Sequence, residues 1–229
     1  MNKYILVVGS KPDSMLPDLK VDEILTANGA AEKAKKYIER YENTKFTAVI
    51  GGSEFLKNSQ VKKRVINSNP DFLISRSGII DFKQFNFKKK INFFCYDYKQ
   101  QLKFQLKYFK YKYLSILLAE LKYGKNFFES LYHLLRAIKY GKVQGVSTGL
   151  FCILYSLQQH PDCDVILTGI GMKAGGHFYD NNSQRYSNRS KVDQFLFNNL
   201  KKKYRDRIKT IDKDLSKLMN ITYLDVGTF

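Results

Sequence analysis

Short apolar runs alternate with small-residue turns and helical patterns through much of the chain. Residues 4–8 (YILVV) form a continuous apolar run, which is typical of a strand buried on both faces of a sheet. Further strands are predicted at 21–26, 46–50, 72–75, 91–94, 165–168 and 221–225. Helical patterns lie at 30–41, 54–64, 147–158 and 191–203. The order strand, turn, helix, strand predicts an α/β fold with a Rossmann-like, doubly wound and mainly parallel sheet.

This order is interrupted between residues 83 and 142. Residues 97–140 are predicted to be mainly helical, with leucines at helical spacing. The segment 83–142 has fourteen Lys or Arg residues against three acidic residues, interleaved with Phe and Tyr. We therefore expect one Rossmann-like domain over residues 1–229, with a helical, basic insertion or lid at 83–142.

Composition narrows the class of protein. A hydrophobic content of 44% over 229 residues is enough for a real core. The three cysteines form no CxxC motif, and no apolar run reaches the roughly 18 residues of a membrane span. We expect a soluble protein of a reducing compartment, in the cytoplasm or peripheral at the inner face of the membrane.

The net charge of +18 predicts a polyanionic partner, either nucleic acid, an anionic membrane surface or an anionic saccharide. A compositional bias towards Lys, Asn, Tyr, Phe and Ile is the alternative explanation for part of the excess. Lysines interleaved with aromatic residues could also stack nucleic-acid bases. However, the chain has no RNP, KH or helix-turn-helix signature, so nucleic acid is the less favoured partner.

Three predicted turns end in small or amide residues and fall on one edge of a parallel sheet. They contain Ser10, Asn28 and the Gly51-Gly52-Ser53 run. Their convergence predicts a nucleotide or nucleotide-sugar site, and ordinary turns chosen for positive φ are the alternative. The turn at Gly9 is neither GxGxxG nor a P-loop, and the chain has no metal-binding DxD after a strand. No metal and no cofactor are therefore expected.

The order of five short motifs resembles the bacterial sialyltransferases and related Kdo transferases, which use CMP-activated acidic sugars. These motifs are GSKP at 9–12, DEILTAN at 22–28, TAVIGGS at 47–53, VSTG at 146–149 and ILTGI at 166–170. The likeness covers most of the chain except roughly residues 75–140. Where the family usually has GNGPS at the first turn, this chain has Ser10 at the Asn position and Lys11 at the second Gly.

The resemblance implies a role for each matched residue. Gly9, Ser10 and Asn28 would hold the cytidylate, and Ser147 and Thr148 would face the phosphate at a helix N-terminus. Gly169 and Ile170 would contact the cytosine through the backbone. From their places at the sheet edge, Gly51, Gly52 and Arg76 are further candidates, and Tyr179 belongs to a loop where the family has tyrosines near the leaving phosphate.

The general base is the main departure from the family. The family has a His before a Ser and an Asp-bearing helix, but segment 187–193 (SNRSKVD) has Arg189 at that position. An arginine stays protonated and cannot be the base, although it can bind a phosphate or carboxylate. His177, with Asp180 orienting or replacing it, is the predicted base or phosphate contact. His133 and His160 are expected to be incidental.

The resemblance implies a metal-independent glycosyltransferase that moves sialic acid, Kdo or a similar acidic sugar from a CMP-sugar. The acceptor would be an anionic glycan or a lipid-linked glycan of a lipopolysaccharide or capsule. A nucleic-acid-binding α/β protein is the alternative from another class. A catalytically inactive nucleotide-sugar-binding relative is the alternative suggested by Arg189.

Overall fold

A parallel sheet of eight strands forms the centre of the protein. The computed structural model describes residues 3–12, 14–76, 78–123, 128, 131–132, 135, 145–172 and 187–229. In chain order the strands are β1 (Tyr4–Val8), β2 (Glu23–Ala27), β3 (Lys45–Gly51), β4 (Phe72–Arg76), β5 (Asn92–Cys95), β6 (Asp164–Thr168), β7 (Ile208–Thr210) and β8 (Thr222–Tyr223). Every neighbouring pair of these strands is parallel. The predicted α/β, Rossmann-like, doubly wound fold is confirmed.

Helices cover both faces of the sheet. Numbered in chain order among the described residues, they are α1 (Ala31–Arg40), α2 (Gly52–Lys57), α3 (Ser59–Ser68), α4 (Tyr98–Leu106), α5 (Tyr113–Tyr123), α6 (Thr148–Gln159), α7 (Ser187–Asn198), α8 (Lys202–Arg205) and α9 (Lys213–Met219). Successive side chains of β1 point to opposite faces. Leu6 and Val8 join a core with α1, α2 and α3, whereas Ile5 and Val7 join a core with α4, α5, α6, α7 and α9.

The strand order places a topological switch point beside β1. Across the sheet the order is β5-β4-β3-β2-β1-β6-β7-β8. The chain therefore builds outward from β1 to β5 and then returns to place β6 on the other side of β1. In open parallel sheets a crevice for ligands forms at the carboxyl ends of the two strands that flank such a point.

Two predicted helices have different bounds from those expected. The helix predicted at 54–64 is interrupted at Asn58, whose backbone is extended and whose side chain accepts hydrogen bonds from Gln60 N and Val61 N, so it caps α3. The helix predicted at 191–203 begins earlier and ends at Asn198. It stops there because Leu200 forms a bridge with Phe109, which holds the chain extended.

The segment 83–142 is not wholly helical. It contributes β5 to the edge of the sheet before α4 and α5 begin. Within this segment, residues 124–127, 129–130, 133–134 and 136–142 lie outside the described residues. Among the residues that the structure describes, no helix has both the length and the apolar composition that crossing a membrane requires.

Candidate functional site

A cavity of about 260 Å³ opens at the carboxyl ends of β1 and β6, at the switch point. Glycines and small polar residues from several turns share its wall with charged side chains. The lining residues are Gly9, Ser10, Lys11, Ala27, Asn28, Gly51, Ser53, Glu54, Arg76, Ser147, Thr148, Gly149, Gly169, Ile170, Gly171, Arg189, Ser190 and Asp193.

The floor of the cavity is a close approach between the turns that follow β1 and β6. Gly9 N donates to Thr168 O at 2.8 Å, and Lys11 N donates to Gly169 O at 3.0 Å. A Cβ on Gly9 would lie 2.1 Å from Gly169 O, and Gly169 itself has a φ of +64°. Glycine is needed at both positions, since the first must admit a neighbouring backbone and the second adopts a left-handed conformation.

Asn28 lies in the left-handed region as well, with a φ of +51°. Asn is one of the few residues with a side chain that adopts this conformation readily. Its Oδ1 accepts a hydrogen bond from Gly51 N at 2.9 Å. This bond ties the turn after β2 to the end of β3 and fixes the plane of the amide, so the NH₂ group can donate to a ligand.

The N-terminus of α6 opens into the cavity. Ser147 caps the helix, since its Oγ accepts from Leu150 N at 3.2 Å, and Thr148 begins the helix. Thr148 and Gly149 line the cavity beside Ser147. Helix N-termini present backbone N–H groups and the positive end of the helix dipole, so this position favours a negatively charged ligand group.

Side chains from three other elements brace the turn that precedes α6. Arg76 donates to Val146 O, and Arg189 donates to Gly145 O. Asp193 Oδ1 accepts from Ser147 N at 3.0 Å, and Gln105 Oε1 accepts from Val146 N at 2.9 Å. Residues from β4, α4 and α7 therefore fix the turn before any ligand is present.

The two arginines make this end of the cavity positive. Burial lowers the pKa of Arg76 to about 10, and the nearby charge of Arg189 contributes, while Asp193 acts in the opposite direction. The Nε of Arg76 is buried, and no described residue accepts a hydrogen bond from it. The protein's own groups thus leave the charge of Arg76 only partly offset, and an anion in the cavity would be attracted to it.

The structure brings most of the predicted site residues together. Those that line the cavity are Gly9, Ser10, Asn28, Gly51, Arg76, Ser147, Thr148, Gly169, Ile170 and Arg189. Gly52 does not line it, because it lies behind the wall, where an added Cβ would contact Ser75 Oγ at 3.2 Å. His177, Tyr179 and Asp180 lie outside the described residues.

Two carboxylates in the cavity were not predicted as site residues. Glu54 lies two residues after the Gly51-Gly52 pair, at the carboxyl end of β3, and its Oε1 accepts from Asn58 Nδ2 at 3.0 Å. Its position beside a predicted turn could have identified Glu54 as a candidate site residue from the sequence. Asp193 reaches the cavity from α7, and the sequence carries no signal that it would meet Ser147.

His160 lies near the amino ends of the strands, on the side of the sheet opposite the cavity, in a second charged cluster. Its Nε2 lies 2.7 Å from Glu23 Oε2, and Glu23 also accepts from Thr47 Oγ1 and pairs with Lys45 at 3.6 Å. Burial alone would raise the pKa of Glu23. The hydrogen bonds from His160 and Thr47 and the charge of Lys45 outweigh it, so the pKa lies below its ordinary value of 4.5.

Comparisons with known proteins leave the class of protein open. No family model, curated protein or solved structure matches the chain. The resemblance to sialyltransferases therefore stays a prediction from short motifs. Within the described ranges, no group of three or more His, Cys, Asp or Glu side chains is placed to hold a metal ion.

Proposed function

We propose that the protein is a glycosyltransferase that transfers an acidic sugar, such as sialic acid or Kdo, from a CMP-sugar to a glycan or glycolipid. The observation that carries this proposal is the N-terminus of α6 opening into the switch-point cavity beside Arg76 and Arg189. A phosphate placed there meets backbone N–H groups, hydroxyls and cations together. No metal is needed to offset its charge.

The remaining lining groups suit the other parts of such a donor. The turns at Gly9 and Gly169 expose backbone at the cavity floor, where a flat base can approach closely. Asn28, held by Gly51 N, offers an amide donor. We assign the base and ribose to this side of the cavity and the phosphate to the α6 side.

Transfer forms a bond from the acceptor hydroxyl oxygen to the anomeric carbon. The bond from that carbon to the phosphate oxygen breaks, and its electron pair leaves with CMP. The positive end of the cavity stabilises the charge on the departing phosphate. The hydroxyl proton goes to a base, for which His177 or Asp180 remains the prediction. In a His177→Ala variant, turnover should fall about 10²–10⁴-fold with unchanged CMP affinity.

Calorimetric titration with CMP, UMP, AMP and GMP tests the donor assignment. We expect CMP to bind most tightly, and equal affinity for the four nucleotides would remove cytidine from the proposal. The Thr148→Val variant should weaken CMP binding by about 1–3 kcal/mol, because a hydroxyl that bonds a charged phosphate is lost.

Thr26→Val is the matched control for this substitution. The Thr26 hydroxyl is buried at the end of β2 and has no hydrogen-bond partner among the described residues, and it does not line the cavity. Its loss should leave CMP affinity unchanged. Equal weakening by both variants would show that Thr148 acts through the fold and not through the phosphate.

A further inference from the structure

Helix α5 is apolar on the side that faces solvent. Its inward residues Ser115, Ile116 and Ala119 are buried against the rest of the protein. On the outward side, Leu114 is 48% exposed and Leu118 is 41% exposed. Surface helices of globular proteins normally carry polar residues on this side, so the exposed leucines call for an explanation.

The inward side of α5 is fixed by packing on α7. The ring of Tyr123 contacts Phe195 with the centroids 6.0 Å apart. At the other end, the segment before α5 is tied to the residues after α7, since Lys110 N donates to Asn199 O at 2.9 Å. The helix is therefore held against the fold by one face, and the leucine face is presented outward.

Aromatic side chains extend this apolar region. Tyr111, two residues before α5, is 59% exposed, and Tyr113, the first residue of α5, is 62% exposed. Half of the large hydrophobic side chains that are exposed among the described residues fall between 111 and 135. The apolar exposure is thus concentrated in one part of the chain. We call Tyr111, Tyr113, Leu114 and Leu118 the α5 surface.

The charged residues that flank the α5 surface in the sequence are nearly all positive. Lys107, Lys110 and Lys112 are exposed just before α5, and Lys122 is exposed near its end. Glu120 is the only acidic residue between 98 and 123. An apolar strip bordered by lysines has the composition of an interfacial membrane-binding helix, in which leucines enter the lipid and lysines meet anionic head groups.

We propose that the α5 surface docks the protein on an anionic membrane surface. Leu114 and Leu118 lie at the boundary between head groups and acyl chains, and the two tyrosines lie at head-group level. The lysines contact lipid phosphates. This proposal goes beyond the transferase function and does not depend on it, since no step of docking involves the cavity.

Two other occupants fit the α5 surface less well. Single-stranded nucleic acid would use the lysines and tyrosines, but it stacks on aromatic rings and gives the exposed leucines no role. A second copy of the chain would bury the leucines. In a two-fold dimer, however, it would also bring the same lysine cluster against itself, and like charges across an interface are unfavourable.

Co-sedimentation of the full-length protein with vesicles tests the proposal. We expect binding to phosphatidylcholine vesicles that contain about 30% phosphatidylglycerol, weak binding to pure phosphatidylcholine, and loss of binding at about 0.5 M salt. The double variant Leu114→Ser/Leu118→Ser should bind at least about tenfold more weakly. The triple variant Lys107→Gln/Lys110→Gln/Lys112→Gln should show a similar loss.

Matched controls test whether vesicle binding depends on the α5 surface itself or on any exposed apolar or positively charged residues. Leu56→Ser/Ile79→Ser removes exposed apolar side chains elsewhere, and Lys36→Gln/Lys57→Gln/Lys63→Gln removes three exposed lysines from other helices. Both controls should bind vesicles like the unmodified protein. Equal losses in the controls, wild-type binding by the leucine variant, or no preference for anionic vesicles would overturn the proposal.

A fluorescence measurement complements these variants, because it reports binding directly and a loss of binding could also come from poor folding. The chain contains no tryptophan, so Tyr113→Trp introduces a single reporter. Its fluorescence should shift to the blue with anionic vesicles, whereas that of Ile79→Trp should not. Oligonucleotide binding that depends on the lysines alone would favour nucleic acid instead, and a dimer that the leucine variant abolishes would favour a second copy.

Discussion

Charged side chains are buried or half-buried at both ends of the sheet, but their surroundings differ between the two ends. At the amino end, Glu23 is surrounded by His160, Thr47 and Lys45. At the carboxyl end, Arg76 and Arg189 line a cavity and donate to the carbonyls of the turn before α6. The charged groups at the amino end contact one another, whereas those at the carboxyl end line a cavity.

The pKa shifts make this difference explicit. Both Glu23 and Arg76 have a lowered pKa, but the direction has opposite meanings for an acid and a base. For Glu23 it means that the partners favour the charged form. For Arg76 it means that burial and a neighbouring cation disfavour the charged form. The first charge stabilises the fold, and the second is better suited to binding an anion.

The largest effect should come from breaking the backbone contact on which the carboxyl end depends. Gly9→Ala places a methyl group 2.1 Å from Gly169 O, and neither backbone can move without separating β1 from β6. We expect the free energy of unfolding to fall by about 3 kcal/mol or more, measured by urea titration. Gly171→Ala is the control, since an added Cβ there meets no atom of the described residues within 4 Å beyond its own chain neighbours. A stable Gly9→Ala variant would mean that the turns separate freely.

A smaller effect is expected at the amino end. Glu23→Gln removes a buried carboxylate that accepts from Thr47 and His160, which should destabilise the protein by about 1–3 kcal/mol. CMP affinity should not change. Glu39→Gln, which removes an exposed carboxylate 3.9 Å from Lys35, should cost less than about 0.5 kcal/mol.

Glu23→Gln should also change how the stability of the protein depends on pH. Because the pKa of Glu23 is lower in the folded protein than its ordinary 4.5, its contribution is fully present above that value. The contribution is lost as the pH falls through the folded pKa. The stability gap between Glu23→Gln and the unmodified protein should therefore narrow at acid pH. A gap that stays constant from neutral to acid pH would contradict a charged Glu23.

The smallest effect on stability, and a clear effect on binding, is expected for Arg76→Met. The variant loses one hydrogen bond to Val146 O but also removes a charge that burial disfavours, so stability should change by less than about 1 kcal/mol. CMP affinity should fall about 10–100-fold. Arg205→Met, which loses a similar bond to Met219 O outside the cavity, should leave CMP affinity unchanged. Strong destabilisation with unchanged affinity would place Arg76 with Glu23 as a structural charge.

Much of the fold was predictable because its strands carry local signals. The runs at β1, β3 and β6 are rich in apolar residues, and each lies in the sheet as expected. Strand β7 was missed because it is three residues long and has a lysine at its centre. The end of α7 was misplaced because a tertiary bridge to Phe109, and no local breaker, stops the helix.

The part of the candidate site that follows from the parallel sheet could be predicted from the sequence. The carboxyl ends of parallel strands share one edge, so a parallel sheet is enough to predict that Gly9, Asn28 and Gly51 lie on the same side. The brace around Val146 was not predictable. It depends on Gln105 of α4, which packs in the same core as Val146 but lies 41 residues earlier in the chain, and no local pattern reports a contact over that sequence distance.

The position of β1 in the sheet has a consequence for the protein while it is being synthesised. Tyr4 pairs with Asp164, so one edge of the central strand has no neighbour until most of the chain has been synthesised. At ordinary translation rates this interval is on the order of 10 seconds or longer. Throughout it the nascent chain presents an apolar strand with unpaired backbone groups, the kind of edge that recruits other chains. The strand that flanks the switch-point cavity in the finished protein therefore keeps one edge open to other chains during this interval.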